Sequence, residues 1–381
     1  MFEFCRSNTA CILGMNRTSA FAAKVTTQGN WSLPDKLLVH CKNTSDISIF
    51  LATSYSLETV LGILGNTCLI GIMARQKATP TNVLLINLVA SELVMCIFCL
   101  PFTVITVLLN YWTFGEAMCK VTAFLQCMSV TVSILSLVLI AVERHQLIIH
   151  PTGWKPGLPQ AYQGIAASWI FASLVSLPFV TNSTLRNGGF QWSAGIGDSN
   201  MDKAICTCPW SSEKDRLTYA MALLLLQYCM PLAVILVCYL RIYLRLRKRE
   251  GLFEKSKPTC PLKHINLLLA SMVVAFAVCW LPLHVFNGIA DWNYKLIPSC
   301  LHDLIFSVCH LAGMASTCVN PIIYGFLNKN IKKEVMALLA SCPRRSSGQE
   351  YEHLRLPTMQ TEASKGSLKL SDQQAPAQRP C

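Results

Sequence analysis

The chain has 381 residues, 52% of them hydrophobic and 14% charged, with a mean hydropathy of +0.42. An average soluble domain carries about 25% charged residues, so this composition excludes an ordinary soluble protein, and 19 Gly with 18 Pro exclude a collagen-like one. A net charge of +12 would suit a polyanion, but the basic residues flank apolar runs without interleaved exposed aromatics, which argues against a nucleic-acid partner.

Residues 1–46 form a polar tail without the run of about 7–15 apolar residues that a cleavable signal peptide needs. The first apolar span is therefore expected to act as the insertion signal, with residues 1–14 as an extension and Met15 as an alternative start. A hydrocarbon core about 30 Å thick takes roughly 20 apolar residues in a helix. Seven stretches meet that requirement, at 47–74, 82–109, 117–147, 161–180, 217–244, 265–289 and 301–325. Pro101, Pro178, Pro231 and Pro282 lie in or near four of them as tolerated kinks, and Pro321 is expected to break the seventh. The fold class is thus an all-α membrane protein, a seven-transmembrane helix bundle over 47–328. After it, Lys329, Lys332 and Lys333 alternate with Ile331, Val335, Leu338 and Leu339, which predicts a short amphipathic C-terminal helix over 329–340 on the membrane lipid. Residues 341–381, rich in Ser, Thr, Gln and Pro, form a disordered cytoplasmic tail. Cys342 is a palmitoylation candidate, with an unmodified thiol as the alternative.

Basic residues are retained on the cytoplasmic side. They crowd the connection 241–264, whereas the one between spans six and seven holds only Lys295, so the N-terminus is expected outside and the C-terminus inside. The glycosylation tripeptides at Asn16, Asn30, Asn43 and Asn182 all fall on the outer side of that topology. Of 19 cysteines, Cys5, Cys11, Cys41, Cys119, Cys206, Cys208 and Cys300 face the oxidising side. Cys119 with Cys206 would pin the second outer loop across the mouth of the bundle, and Cys41 with Cys300 would tie the tail to the third. Cys208 competes for Cys119, so the pairing is not unique.

Ionisable and polar residues inside a bilayer are costly and point to function. Helical spacing groups Cys119, Gln126, Ser133 and Arg144 on one face of span three, Phe276, Trp280, Asn287 and Asp291 on span six, and His310, Thr317, Asn320 and Tyr324 on span seven. With Gly65-Asn66, Asn87-Leu88-Val89-Ala90, Glu143-Arg144-His145, Trp169, Pro231 and Tyr239, Cys279-Trp280-Leu281-Pro282 and Asn320-Pro321-Ile322-Ile323-Tyr324, the chain resembles the rhodopsin-like G-protein-coupled receptors, one marker set per span and in order. A retinal receptor needs a Lys in span seven, and 301–325 has none. An amine receptor needs an Asp seven residues after Cys119, where Gln126 stands.

More closely, Gln126-Cys127-Met128-Ser129-Val130, Val142-Glu143-Arg144-His145-Gln146-Leu147, His150-Pro151-Thr152-Gly153-Trp154-Lys155-Pro156 and Trp280-Leu281-Pro282-Leu283-His284-Val285-Phe286-Asn287 resemble the neuropeptide Y receptor family. In the tail, Ser364-Lys365-Gly366-Ser367-Leu368 resembles its pancreatic polypeptide receptor subtype.

The resemblance implies a hormone or neuropeptide ligand of the pancreatic polypeptide, peptide YY and neuropeptide Y group, amidated and ending in Arg-X-Arg-Tyr-amide. Its arginine would pair with Asp291. Gln126, Gln227, Asn287 and His310 would bond the amidated end, with Phe286 and Phe306 in apolar contact. It implies no cofactor and no enzymatic activity, a heterotrimeric G protein of the inhibitory class that lowers cyclic AMP, and arrestin as a further partner of the tail serines and threonines. Coupling would run through Glu143, Arg144, Tyr239, Trp280, Asn320, Pro321 and Tyr324. Glu92 stands where the family has an Asp, near a sodium site formed with Ser133, Ser316 and Asn320, the one metal site implied. Thr106 replaces a usual Tyr, Asn110 a usual Asp and Cys208 a usual acid, so a basic peptide meets fewer charges at the mouth. Three alternatives are a different peptide ligand, impaired binding, or a transporter. A transporter would carry repeated halves with midplane charges, which the sequence lacks.

Overall fold

The structure, a computed structural model, describes residues 44–109, 111–187, 204–252, 261–292, 299–327, 331 and 333–336, with side chains at 44–45, 249–252, 261–264, 291–292, 299–301, 303 and 325–327 outside the description. Among the described residues, seven helical stretches are long and apolar enough to cross a membrane: Asp46–Ala74, Pro80–Leu109, Gly115–Ile149, Leu158–Asn182, Glu213–Lys248, Ile265–Ala290 and Leu304–Tyr324. A helix is the only open chain that satisfies its own backbone groups where no water reaches them. The third span runs through the middle, with 72% of its most apolar window buried, against 22% in the fourth. Val60 and Leu64, Ile170 and Leu174, and Val274 and Val278 form exposed stripes on spans one, four and six, the outward apolar face that lipid covers. One core joins all seven spans, from Leu51 and Tyr55 through Leu88, Ile134, Ala161, Ile235 and Phe276 to Tyr324.

The proline positions modify the simple spans. The second is two helices, Pro80–Phe98 and Leu100–Leu109, interrupted at Cys99. Pro101 has no N–H to continue the ladder and is accommodated in the first turn of the second segment. In the fifth, Leu225–Cys229 is a π-helical turn immediately before Pro231, the wide turn by which a helix absorbs a missing donor.

The seventh span corrects the expectation of a break at Pro321. Its helices are Ser299–Met314 and Ser316–Leu327, so the break is at Ala315 and Pro321 lies inside the second helix. The carbonyl that Pro321 leaves without an intrahelical donor is that of Thr317, four residues earlier. Asn66 Nδ2 of span one donates to it at 2.9 Å. The turn before it tightens instead: Thr317 Oγ1 donates to the Met314 carbonyl at 2.9 Å, and Cys318 N turns to the Ala315 carbonyl at 3.0 Å. The approach of spans one and seven depends on Gly65, where a Cβ would lie 2.7 Å from Pro321 Cβ.

Between spans four and five, β1 (Thr184–Asn187) and β2 (Ala204–Thr207) pair antiparallel, with Leu185 opposite Cys206. Gly115 opens the third span at φ 76°, a left-handed conformation suited to glycine, and its carbonyl accepts from Trp112 Nε1 at 2.8 Å. After span seven, residues 331 and 333–336 are helical. Ile331 and Val335 pack against the bundle core while Lys333 and Glu334 are exposed, and the remaining residues of the predicted 329–340 helix lie outside the description.

Asn66→Ala removes the donor to the Thr317 carbonyl and leaves that group buried. The expected cost is about 1 kcal/mol, read as a lower thermal midpoint of the purified protein in detergent. A midpoint equal to wild type would refute this account of the proline junction.

Candidate functional site

The polar residues of the bundle fall into three layers along its axis, beneath a mouth fixed by a disulfide. At the mouth, Cys119 and Cys206 form a disulfide with Cα atoms 5.7 Å apart, fixing the hairpin over the third span. Trp112 N donates to the Ala204 carbonyl at 2.8 Å, and Phe102 and Phe114 meet edge to face at 4.8 Å. This resolves the competition among the outer cysteines. Cys208 is buried in a separate cluster with Ala123, Cys127, Phe179 and Leu223, so the hairpin turns it into the bundle and away from Cys119. Thr106 Oγ1 donates to its own helix at the Phe102 carbonyl, 2.7 Å away, and so does not replace the reach of a tyrosine. Asn182 ends the fourth helix and is half-buried. Asn16, Asn30, Asn43, Cys41, Asn110 and Cys342 lie outside the described residues, as does the Cys300 side chain.

Beneath the mouth, Gln126 of span three and His310 of span seven meet, Nε2 to Nε2, at 2.7 Å. The other ring nitrogen of His310 lies 2.9 Å from the Tyr55 hydroxyl of span one, which donates to the Ser307 carbonyl at 2.9 Å. Phe306 packs 5.7 Å from His310 and 6.1 Å from Phe286, by ring centroids. Asn287 is half-buried, and its Oδ1 is buried with no hydrogen-bond partner among the described residues. Asp291 follows one turn later on the same helix, with its side chain outside the description. Four of the seven predicted ligand residues, Gln126, His310, Phe306 and Phe286, thus meet in series across spans three, seven and six. Gln227 is different: the π turn aims its amide at span three, where Nε2 donates to Thr131 Oγ1 at 2.7 Å. It is 5% exposed and already committed.

In the middle layer, Trp280 Nε1 donates to Ser316 Oγ at 3.2 Å. Trp280 also stacks near Phe276, with centroids 5.9 Å apart. Asn320 Nδ2 donates to Glu92 Oε1, while Glu92 Oε2 is buried with no hydrogen-bond partner among the described residues. Ser133 bonds Ser91 at 2.8 Å. Because the Ser91 proton goes to the Leu88 carbonyl, Ser133 is the donor of that pair. Of the four residues assigned to a sodium site, Asn320 and Glu92 bond each other, while Ser133 is bonded to Ser91 and Ser316 to Trp280. Nearer the inner end, Asn87 ties three spans, donating to Ser136 at 2.8 Å and accepting from Trp169 Nε1 at 2.9 Å.

At the inner end, Thr81 Oγ1 lies 2.7 and 2.8 Å from the two carboxylate oxygens of Glu143, to which it donates, and accepts from Arg144 Nη2. Arg144 Nε is 3.4 Å from Glu143 Oε2, an ionic contact without hydrogen-bond alignment. The Tyr239 hydroxyl is buried with no hydrogen-bond partner among the described residues, and Tyr324 is buried on span seven. The Arg144 side chain is thus held toward spans two and three, with an empty-handed hydroxyl on span five.

Tyr55, Ser91 and Thr81 escaped the sequence reading. Their only signal was a hydroxyl within an apolar run, which hydropathy averages away.

The model of the seven-transmembrane receptors of the rhodopsin family matches residues 65–324. The chain is 52% identical over 342 residues to the human neuropeptide Y receptor type 4-2, covering 88% of this chain and 91% of that receptor. It is 51% identical over 335 residues to the mouse neuropeptide Y receptor type 4, covering 87% and 89%. Against the Xenopus laevis neuropeptide Y receptor type 1 it is 45% identical over 325 residues, covering 84% and 88%.

Proposed function

The chain belongs to the rhodopsin family of seven-transmembrane receptors and within it to the neuropeptide Y receptors, and on that footing we propose that it answers amidated peptides of the pancreatic polypeptide, peptide YY and neuropeptide Y group. As a receptor of that family it is a multi-pass protein of the plasma membrane and not an enzyme. The subtype it resembles is type 4, which favours pancreatic polypeptide as the ligand.

The observation that carries this reading is the Gln126–His310 pair, 2.7 Å apart beneath the disulfide-fixed hairpin and beside Phe306. The neutral Gln126 amide, bonded at one end to His310, keeps hydrogen-bonding capacity for an uncharged peptide terminus and offers no counter-ion to an ammonium group. Asn287, with its unpartnered Oδ1, adds an acceptor, and Phe286 and Phe306 add apolar surface. Asp291, one turn further out, supplies the anion for a ligand arginine. In this proposal the N-terminus, with its sugar-bearing Asn16, Asn30 and Asn43, faces outward together with Asn182, and Cys342 carries palmitate on the inner side.

The second reading, weakened or altered peptide binding, is favoured by one observation: Thr106 spends its hydroxyl on Phe102.

Signalling follows from a two-state equilibrium in which the bound peptide favours an outward swing of the inner end of span six. Trp280 and Phe276 repack, with Pro282 as the hinge. Arg144 leaves Glu143 and Thr81 for Tyr239 and Tyr324 and for an inhibitory G protein, lowering cyclic AMP. Arrestin then binds the phosphorylated tail. At the middle layer, only one Glu92 oxygen is open to a cation, so sodium regulation is weak.

Cells expressing the receptor, with surface expression matched, are expected to lower cyclic AMP in response to amidated pancreatic polypeptide. Asp291→Ala is expected to reduce potency about 10- to 100-fold, the worth of one charge-assisted bond of about 1.5–3 kcal/mol. Potency unchanged in the variant removes Asp291 from the site, and silence toward all three peptides removes the ligand group. Thr81→Val frees Arg144 from a bond worth about 1 kcal/mol, so peptide-independent G-protein activation should rise about fivefold; equal basal activity in variant and wild type argues against the latch. Exchanging potassium for sodium at constant ionic strength should weaken agonist binding only slightly. Strong inhibition that Glu92→Ala abolishes would overturn that expectation.

A further inference from the structure

We infer that Asn266 is a positioning residue of the signalling step. Its amide, buried without a partner toward the inner end of span six, holds the closed bundle close to opening and is relieved when that end swings outward. The inference rests on the two-state reading above and concerns what sets the balance between the states, whichever peptide binds.

Asn266 is 6% exposed, and neither its Oδ1 nor its Nδ2 has a hydrogen-bond partner among the described residues. It shares a helix face with Leu269, Val273 and Trp280, three, seven and fourteen residues further on, all in the common core or packed against it. Ile265 and Leu267, on either side of it, are exposed, so Asn266 is directed into the bundle. The other buried carboxamides each bond another span. Asn66 donates to the Thr317 carbonyl, Asn87 joins Ser136 and Trp169, Gln227 donates to Thr131 and Asn320 to Glu92. Asn266 is the exception.

An amide left unmet in an apolar interior is destabilised relative to the same amide in water. Trp280 belongs to the middle layer, and Asn266 lies about 21 Å from it along the helix at about 1.5 Å per residue. That is more than half of a hydrocarbon core about 30 Å thick, which places the amide toward the inner edge. Pro282, the hinge, lies beyond Trp280, so an outward swing moves Asn266 by the long arm and carries it from the core toward cytoplasmic water. The closed state therefore bears a penalty that the open state does not. Tyr239, with a buried and unpartnered hydroxyl, biases span five the same way. The contacts of Thr81 and Glu143 with Arg144 oppose both. An apolar side chain of similar size leaves no amide unmet, packs beside Leu269 and favours the closed state.

The test is Asn266→Leu in the full chain. The ligand-free thermal midpoint is measured in detergent, and nucleotide exchange on an inhibitory G protein is measured in lipid without peptide. The midpoint is expected to rise, the reverse of the effect at Asn66, and peptide-independent exchange to fall about fivefold or more. The potency of pancreatic polypeptide is expected to fall by the same factor, because basal activity and apparent affinity both scale with the open fraction. Asn266→Val, smaller and equally apolar, carries the test if leucine is too bulky to fold. A lower midpoint in both variants means that the amide stabilises the closed state, and overturns the inference. A higher midpoint with exchange and potency unchanged overturns the link to opening. Reduced exchange at an unchanged midpoint assigns Asn266 to contact with the G protein and overturns it also. A wild type silent to all three peptides overturns the ligand reading alone, and the midpoint and peptide-independent exchange then decide the inference.

Discussion

Every peptide group released from a helix inside the bilayer must find a new partner in the protein, because no water is there to supply one. The bundle is organised around that constraint. Pro321 strips a donor from the Thr317 carbonyl, and Asn66 on another span replaces it. The replacement works only because Gly65 lets the proline ring come within contact of span one. The same interface holds Cys318 Sγ against the Glu58 carbonyl at 3.2 Å, so spans one and seven are registered against each other by backbone carbonyls. Everything above that junction on span seven, His310 included, inherits its height from it.

The three polar layers share one physical device. Each joins different spans through a side chain whose single proton or fixed donors leave no freedom of direction. Asn87 links Ser136 and Trp169, Asn320 links Glu92, Trp280 links Ser316, and Thr81 links Glu143 with Arg144. Apolar packing in lipid gives little directional preference, since tails and side chains are equally apolar. Directional bonds therefore carry the registration, and the same bonds are available for exchange when the helices move. That at Ser316 joins span six to span seven across the proposed hinge motion, whereas the bonds of Arg144 lie between spans two and three and those of Asn87 among spans two, three and four.

Much of this molecule was legible before any coordinates. The seven spans follow from hydropathy, since each is forced by the thickness of the hydrocarbon. Gln126, Phe286, Phe306 and His310 were assigned to one site by resemblance, and contacts in series join these four. The local breaks were less legible. Pro101 and Pro321 announce that something must yield, but whether the helix opens at the proline or some residues before it depends on which neighbour supplies the missing bond. For the seventh span Asn66 did so, and the break moved to Ala315. Gln227 was grouped with the ligand residues by position, yet a π turn rotates it onto Thr131. A pattern with a constant period cannot register one added residue per turn.

The sequence by itself determined the spans, the outer cysteines and the residue types available to the site, because these depend on transfer from water to lipid and on short motifs along one helix. Only the tertiary structure decided which of Cys206 and Cys208 bonds Cys119, and that Tyr55 and Thr81 bond residues on other spans. Those outcomes depend on distances between residues as many as 255 positions apart, and on hydrogen bonds whose direction is set by a partner on another helix.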